Sequence, residues 1–140
     1  MDFKRVGTTY IVRLYKGEEI GASLKEFARK YGITAGFING IGAVDDVILG
    51  YFHMGKKIYI EEHLEEDFEL LSLMGNFALI DDEPFAHLHI MLGRDNYQVI
   101  GGHMVQARVS VTCEIYIQAA DTIIKRVLDE GSGLKLMDLS

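Results

Sequence analysis

The sequence predicts an α+β fold in which a mostly antiparallel sheet is accompanied by one well-defined helix. β-Branched and aromatic residues recur in short runs separated by turn-forming residues, as in strands. Only residues 20–31 place their apolar side chains convincingly at helical spacing. The chain has 15 glycines and one proline, so tight corners between strands form easily. Many strands with few helices are typical of the α+β class.

The predicted helix follows a first strand. Residues 8–16, TTYIVRLYK, are rich in β-branched and aromatic side chains, and Gly17 ends this strand. The helix is expected to run from about residue 20 to 31. Its apolar face consists of Ile20, Leu24, Phe27, Ala28 and Tyr31. Gly32 stands where a glycine commonly ends a helix.

The rest of the chain is dominated by runs typical of strands. These runs are 36–52, 57–64, 68–80, 86–93, 97–107 and 109–117. The C-terminal segment 121–139 is compatible with a helix or with two short strands. No linker, repeat or low-complexity run divides the chain, so residues 1–140 are expected to form a single domain.

Composition narrows the classes of function. The chain carries 14 Lys and Arg against 21 Asp and Glu, a net charge of −7. Neutralising DNA phosphates requires basic surface, so strong unaided DNA binding is not expected. No apolar stretch approaches the ~20 residues that span a bilayer, and no signal peptide is recognisable. We therefore expect a cytoplasmic protein without a membrane partner. The single cysteine, Cys113, lies in an apolar run and is expected to be core.

Three of the five histidines lie in one stretch, HLHIMLGRDNYQVIGGH, residues 87–103. The residues GRDNYQ between two apolar runs predict a hairpin. If residues 94–96 form its loop, His87 lies directly across from His103. His89 is two residues along the strand and shares their face. The three imidazoles are therefore expected to converge.

Small and apolar residues are expected around these rings. In the predicted register Gly101 faces His89, and Gly102 flanks His103, which leaves space for a ligand. The histidine face also carries the apolar side chains of Phe85, Met91, Val99 and Val105. The opposite face of the strand is predicted to be core and consists of Leu88, Ile90 and Leu92.

Three neutral imidazoles on one face suit a first-row divalent metal. Three protein ligands with an open position are typical of catalytic more than structural zinc. We therefore predict zinc, or another divalent metal, at about one ion per chain, with His87, His89 and His103 as ligands. The alternative is that these histidines are hydrogen-bonded structural residues. His53 and His63 are not expected to contribute.

Glu114 is the acidic residue that we select as a candidate for proton transfer. In SVTCEIY, polar and apolar residues alternate, so one strand face is unusually polar. Glu114 could be a fourth ligand, a partner that orients a histidine, a general base or a solvent-exposed residue. Glu69 and Asn76, in FELLSLMGN, are weaker candidates of the same kind.

Several motifs in this order resemble the plants and prokaryotes conserved (PPC) domain in its single-domain prokaryotic form. They are TAGFINGIGAV, DVILGYF, FELLSLMGN, EPFAHLHIMLG, IGGHM and VTCEIYI. The resemblance covers about residues 6–136. It implies a compact α+β fold with a strongly curved sheet, a homotrimer, and a metal held by His87, His89 and His103. Prokaryotic relatives also carry a DNA-binding label, and plant members are fused to AT-hook motifs, which this chain lacks.

The histidine hairpin is also distantly similar to the metal site of acetolactate decarboxylase, a zinc enzyme regarded as sharing this fold. Only the three histidines correspond, and a shared fold does not transfer activity. Two hypotheses follow. The first is a homotrimeric zinc-binding PPC-domain protein that acts as a binding or regulatory module, with DNA or a DNA-associated complex as a partner. The second is a small zinc-dependent lyase or hydrolase acting on a small oxo- or hydroxy-acid, with Glu114 moving protons.

Overall fold

A computed structural model describes residues 1–140, the whole sequence. It confirms the α+β class: one helix accompanies an eight-stranded, almost entirely antiparallel sheet. The elements are β1 (Asp2–Val6), β2 (Thr9–Tyr15), α1 (Ile20–Tyr31), β3 (Gly36–His53), β4 (Ile58–Ile80), β5 (Glu83–Gly93), β6 (Val99–Ala119), β7 (Lys125–Leu128) and β8 (Lys135–Asp138). The one parallel pairing joins β4 to β7.

Helix α1 has the predicted limits. The Glu19 side chain accepts hydrogen bonds from the backbone N–H groups of Gly21 and Ala22, which caps the N-terminus. Gly32 ends the helix in the left-handed region at φ 66°, where a Cβ is unfavourable. The buried face consists of Ile20, Leu24, Phe27 and Ala28. Each such burial contributes about 1.5–3 kcal/mol for the larger side chains, so packing rather than local propensity holds the helix.

Two long strands replace four of the predicted runs. β4 joins the runs 57–64 and 68–80, and β6 joins 97–107 and 109–117. The acidic residues 65–67 lie between two of the predicted runs. Their side chains are exposed to solvent, and the strand continues through them, with Glu65 paired to Asp46 of β3. Register shifts in β3 bend the strands without ending them.

Both ends of the chain contribute strands that the sequence left undefined. β1 pairs with β2 through a two-residue turn in which Gly7 has a φ of 59°. The ambiguous C-terminal segment forms the β7–β8 hairpin and contains no helix. Leu79 of β4 pairs with Lys125 of β7, which attaches this hairpin beside the second half of β4.

The sheet curls into a ring, as the predicted strong curvature requires. β3 pairs with β4, β4 with β5, β5 with the start of β6, and β6 with β3. Helix α1 packs against β5 and β6. The core inside is apolar, and no polar or charged residue is buried. Cys113 belongs to this core, as expected.

The one helix, α1, is not long and apolar enough to cross a membrane.

Candidate metal centre

The β5–β6 hairpin forms as predicted, but its register differs by two residues. His89, not His87, lies opposite His103. The loop is 95–97 rather than 94–96, because the Arg94 N–H donates to the Gln98 carbonyl and closes it. Tyr97 takes the left-handed position at φ 65°, which sequence rules assign to glycine or asparagine. A shift of two residues preserves the face on which each side chain lies.

The three imidazoles converge. The ring centroids are 5.1 Å apart for His87 and His89, 5.2 Å for His87 and His103, and 5.5 Å for His89 and His103. One potential ligand atom from each ring lies within 4.8 Å of the other two. His87 and His103 are partly buried and His89 is exposed. His63 is elsewhere, hydrogen-bonded to Asp46 at 2.6 Å.

Glycines make room for this convergence, although not those predicted. Gly101 lies opposite Met91 rather than His89. A Cβ at Gly75 would overlap the His87 carbonyl oxygen, so glycine lets β4 approach β5 at this point. A Cβ at Gly50 would contact the His103 ring at 3.4 Å. Glycine at these positions therefore allows the close approach of the strands around the rings.

The expected apolar wall is only partly present. Leu88, Ile90 and Leu92 are buried in the core, as predicted. Phe85 stacks near His87, with ring centroids 6.4 Å apart. In contrast, the remaining apolar residues of the histidine face are 41–50% exposed; they are Met91, Val99 and Val105. Within one chain, this outer face of the sheet is open to solvent.

A fourth side chain, Arg126 of β7, reaches the cluster. Its Nη2 donates to Asn76 Oδ1 at 2.9 Å and lies 3.2 Å from His87 Nδ1. Its guanidinium also sits over the Phe85 ring, 5.7 Å from the centroid. Asn76, a weaker candidate from the sequence, thus belongs to the site because it pairs with His87 across β4 and β5. No local sequence signal identified Arg126, since its strand was ambiguous.

Burial keeps two of the imidazoles uncharged. Desolvation, followed by the positive charge of Arg126, lowers the pKa of His87 to about 4. Desolvation also lowers the pKa of His103, with smaller contributions from His89 and Arg126, while Glu61 opposes them. Both rings are therefore neutral at pH 7, the state in which imidazole ligates a metal.

The donor set fits a divalent ion of the zinc type. Zinc–nitrogen bonds of ~2.0–2.1 Å place tetrahedral ligand atoms roughly 3.3–3.4 Å apart, so ligand atoms that lie within 4.8 Å of one another need only a small inward movement. The Nδ1 atom of His103 is buried and has no hydrogen-bond partner. A structural histidine normally has both nitrogens satisfied, so this orphan favours ligation over the hydrogen-bonded alternative.

Most of the chain matches one known domain family. The sequence profile of the Plants and Prokaryotes Conserved domain, abbreviated PCC or PPC, matches residues 1–121. The chain belongs to the Plants and Prokaryotes Conserved domain family. The PPC profile ends before β7, so Arg126 lies beyond the matched residues. A comparison with curated proteins finds no match.

Three solved structures share the fold of this PPC domain over nearly their whole length. A "putative DNA-binding protein" from Bacteroides thetaiotaomicron is 31% identical, with a TM-score of 0.95 over 98% of this chain and 96% of its own. A PPC protein from Pyrococcus horikoshii is 37% identical, with a TM-score of 0.87 over 98% and 93%. A metal-containing protein from Archaeoglobus fulgidus is 37% identical, with a TM-score of 0.87 over 97% of both chains.

Glu114 lies outside the histidine cluster of this PPC domain. It pairs with Arg13 of β2 and with Ile41 of β3, whereas His103 pairs with Gly50. Glu114 lines a separate cavity of about 410 Å³. Glu69, the other weak candidate, lines the same cavity. Glu114 and Glu69 therefore line one cavity together, away from the histidines.

Cys113 lies on the opposite face of β6 and is buried. Burial raises the pKa of its thiol to about 12, so it is not a nucleophile.

Proposed function

We propose that this PPC domain is a binding module that holds one divalent metal ion per chain, preferably zinc, through His87, His89 and His103. The observation that carries the proposal is that ligand atoms of the three rings lie within 4.8 Å of one another. Two of the rings are held neutral by burial, which suits ligation. The metal-containing protein from Archaeoglobus fulgidus, 37% identical, supports the same conclusion.

Metal content tests this proposal directly. The purified protein is stripped with a chelator, reconstituted with Zn²⁺ and passed through a desalting column. Elemental analysis should then give about one zinc per chain, because three imidazoles capture such ions readily. Well under one equivalent after reconstitution would overturn the proposal.

We further propose that the domain assembles as a homotrimer. The support is the family resemblance together with the exposed apolar side chains on the outer face of the sheet. These include Phe37, Ile41, Met74, Met91 and Val111, each 47–68% exposed. Apolar surface of this extent commonly marks an interface between chains.

DNA, or a DNA-associated complex, is the proposed partner of the module. Similar structures carry a DNA-binding name, including the one from Bacteroides thetaiotaomicron. The charge of −7 limits unaided binding. Several basic side chains are also held in ion pairs: Arg29, Arg94, Arg108, Lys125 and Lys135. The domain therefore binds DNA weakly by itself or associates with DNA through another protein.

A second candidate function is a metal-dependent lyase or hydrolase of small oxo- or hydroxy-acids. The observation that favours it is the guanidinium of Arg126 beside His87, since arginine is well suited to bind a substrate carboxylate. The bound metal would polarise a carbonyl or activate water. Within one chain Glu114 lies in another cavity, so its role as general base requires that assembly bring it to the cluster of a neighbouring copy.

Turnover assays test this second function. Wild type and Glu114→Gln are compared on small oxo- and hydroxy-acids. The amide preserves the size of the side chain but cannot accept the proton, so activity should fall by ~10²-fold or more if Glu114 is the base. Equal activity in both proteins would remove Glu114 from the mechanism. No turnover of any such acid would leave the binding module as the function.

A further inference from the structure

The contacts of Arg126 distinguish the two edges of its guanidinium. Nη1 donates to the Lys135 carbonyl at 3.3 Å, which anchors the group to the β7–β8 hairpin. Nη2 donates to Asn76 and meets His87 Nδ1. The Nε atom is buried and has no partner. The edge formed by Nε and Nη2, the edge that binds carboxylates in a bidentate manner, therefore carries the unsatisfied donor.

Arg126 and a metal compete for His87. Arginine only donates, so its hydrogen bond to Nδ1 places the imidazole proton on Nε2. A neutral ring in this state has no free lone pair on either nitrogen. Ligation by His87 must break the bond to Arg126, whichever nitrogen binds the ion. Metal binding thus frees a second N–H of Arg126, next to the orphaned Nε–H.

Charge at the cluster then favours an anion. A divalent ion held by the three neutral imidazoles would lie near the positive charge of Arg126, which contacts His87. No carboxylate contributes to the lowered pKa of His87, and Glu61 opposes the lowering of the pKa of His103. One carboxylate does not balance this positive charge in a partly desolvated site. Two freed N–H groups and an open metal position both suit oxygen atoms of an anionic ligand.

We infer that Arg126, held by Asn76, and the metal together form a binding site for a small carboxylic acid that carries a hydroxyl or carbonyl oxygen on the neighbouring carbon. Once release from His87 has exposed the Nε–Nη2 edge, the carboxylate binds there, and the neighbouring oxygen takes the open metal position. This inference rests on the proposed metal site and specifies its ligand. Arg126 is a binding residue in this scheme and is not a metal ligand.

Cobalt(II) provides a direct readout, because its visible absorption bands respond to changes in coordination. The full-length chain is loaded with Co²⁺ and titrated with lactate, and separately with lactamide, which lacks the carboxylate charge. Wild type should bind lactate, and Arg126→Gln should bind it about 10-fold or more weakly. Lactamide binding should be equally weak in both proteins. Arg126→Lys, which keeps the charge but not the fork, should bind lactate with intermediate affinity.

A second measurement excludes a general structural effect. Without lactate, Arg126→Gln should bind Co²⁺ more tightly than wild type, because both competition for His87 and charge repulsion are removed. A damaged fold would weaken both affinities. Arg94→Gln is the matched control, since Arg94 lies beside the loop of the β5–β6 hairpin and pairs with exposed Glu66, and it should behave as wild type.

The outcomes separate the two proposals. Failure of the wild type to bind Co²⁺ overturns the metal site itself. Co²⁺ binding without a spectral response to lactate, or with equal lactate affinity in wild type and Arg126→Gln, overturns the ligand site alone.

Discussion

His89 lies directly opposite His103 in the β5–β6 ladder, and the two ring centroids are 5.5 Å apart. The pair is fixed by backbone hydrogen bonds, so its spacing depends little on flexible loops. His87, two residues before His89, completes the cluster from the same strand. A site built on adjacent strands in this way is held in place before a metal binds.

His89→Ala should abolish stoichiometric metal binding while the fold persists. His89 is the exposed member of the three, so its removal leaves no cavity. We expect a loss of metal affinity of at least about 100-fold, the upper end of the loss for outer partners of a metal site. Elemental analysis and circular dichroism measure the two effects. His63→Ala should retain about one equivalent, and loss of metal in both variants would contradict the assignment.

Gly75→Ala should destabilise the protein and disturb the site. The added Cβ would overlap the backbone of His87, which cannot move away as a side-chain tip could. Separation of β4 from β5 should cost about 2 kcal/mol or more, and metal affinity should fall with it. Urea denaturation and metal titration test this. Gly55→Ala, whose Cβ would meet only the His53 ring at 3.5 Å, is the near-neutral control.

The metal-free protein should lose stability as the pH falls from about 6.5 towards 4. Burial lowers the pKa of His87 from 6.5 to about 4, so in this range the unfolded chain binds a proton there that the folded chain does not. The contribution should be on the order of 2 kcal/mol after allowance for solvent screening of a half-buried ring.

Urea denaturation in the presence of a chelator, at pH 7 and pH 5, measures this loss. His87→Gln should reduce the pH dependence of the free energy of unfolding. The lowered pKa of His103 acts in the same direction, so some dependence should persist in His87→Gln. An unchanged dependence in His87→Gln would show that His87 is protonated as readily in the folded state as in the unfolded one.

Light scattering should give a mass near three times 15.7 kDa. Met91, 50% exposed on the histidine face, is expected to lie in or near the contact between chains. Met91→Glu should shift the population towards monomer, because it places a charge against apolar surface. Leu139→Glu, at a 77% exposed C-terminal position, should leave the mass unchanged. A stable monomer of the wild type at micromolar concentration would contradict the trimer.

Unaided DNA binding should be weak and steeply dependent on salt. Three chains at −7 carry −21, so any basic patch acts against a repulsive background. Fluorescence anisotropy at physiological salt should give a Kd weaker than ~10⁻⁶ M. Sequence-specific binding tighter than ~10⁻⁸ M would show that a local surface outweighs the net charge.

Local pattern determined helix α1 and the shared face of the three histidines. The helix followed from one apolar face and the stop at Gly32. The common face survived an error of two residues in register, because side chains alternate with a period of two along a strand. The identity of the cross-strand partner, His89 instead of His87, depended on Tyr97 adopting a left-handed conformation that its residue type does not favour.

Tertiary structure alone decided which distant residues surround the histidines. Arg126 reaches His87 because β7 pairs with β4, a contact between segments far apart in sequence that no local spacing encodes. Glu114 is polar and close in sequence to the GGH motif, but it lies farther along β6 and lines another cavity. A strand's own sequence specifies which side chains share a face, but only the pairing of strands through the whole sheet specifies which faces and ends meet.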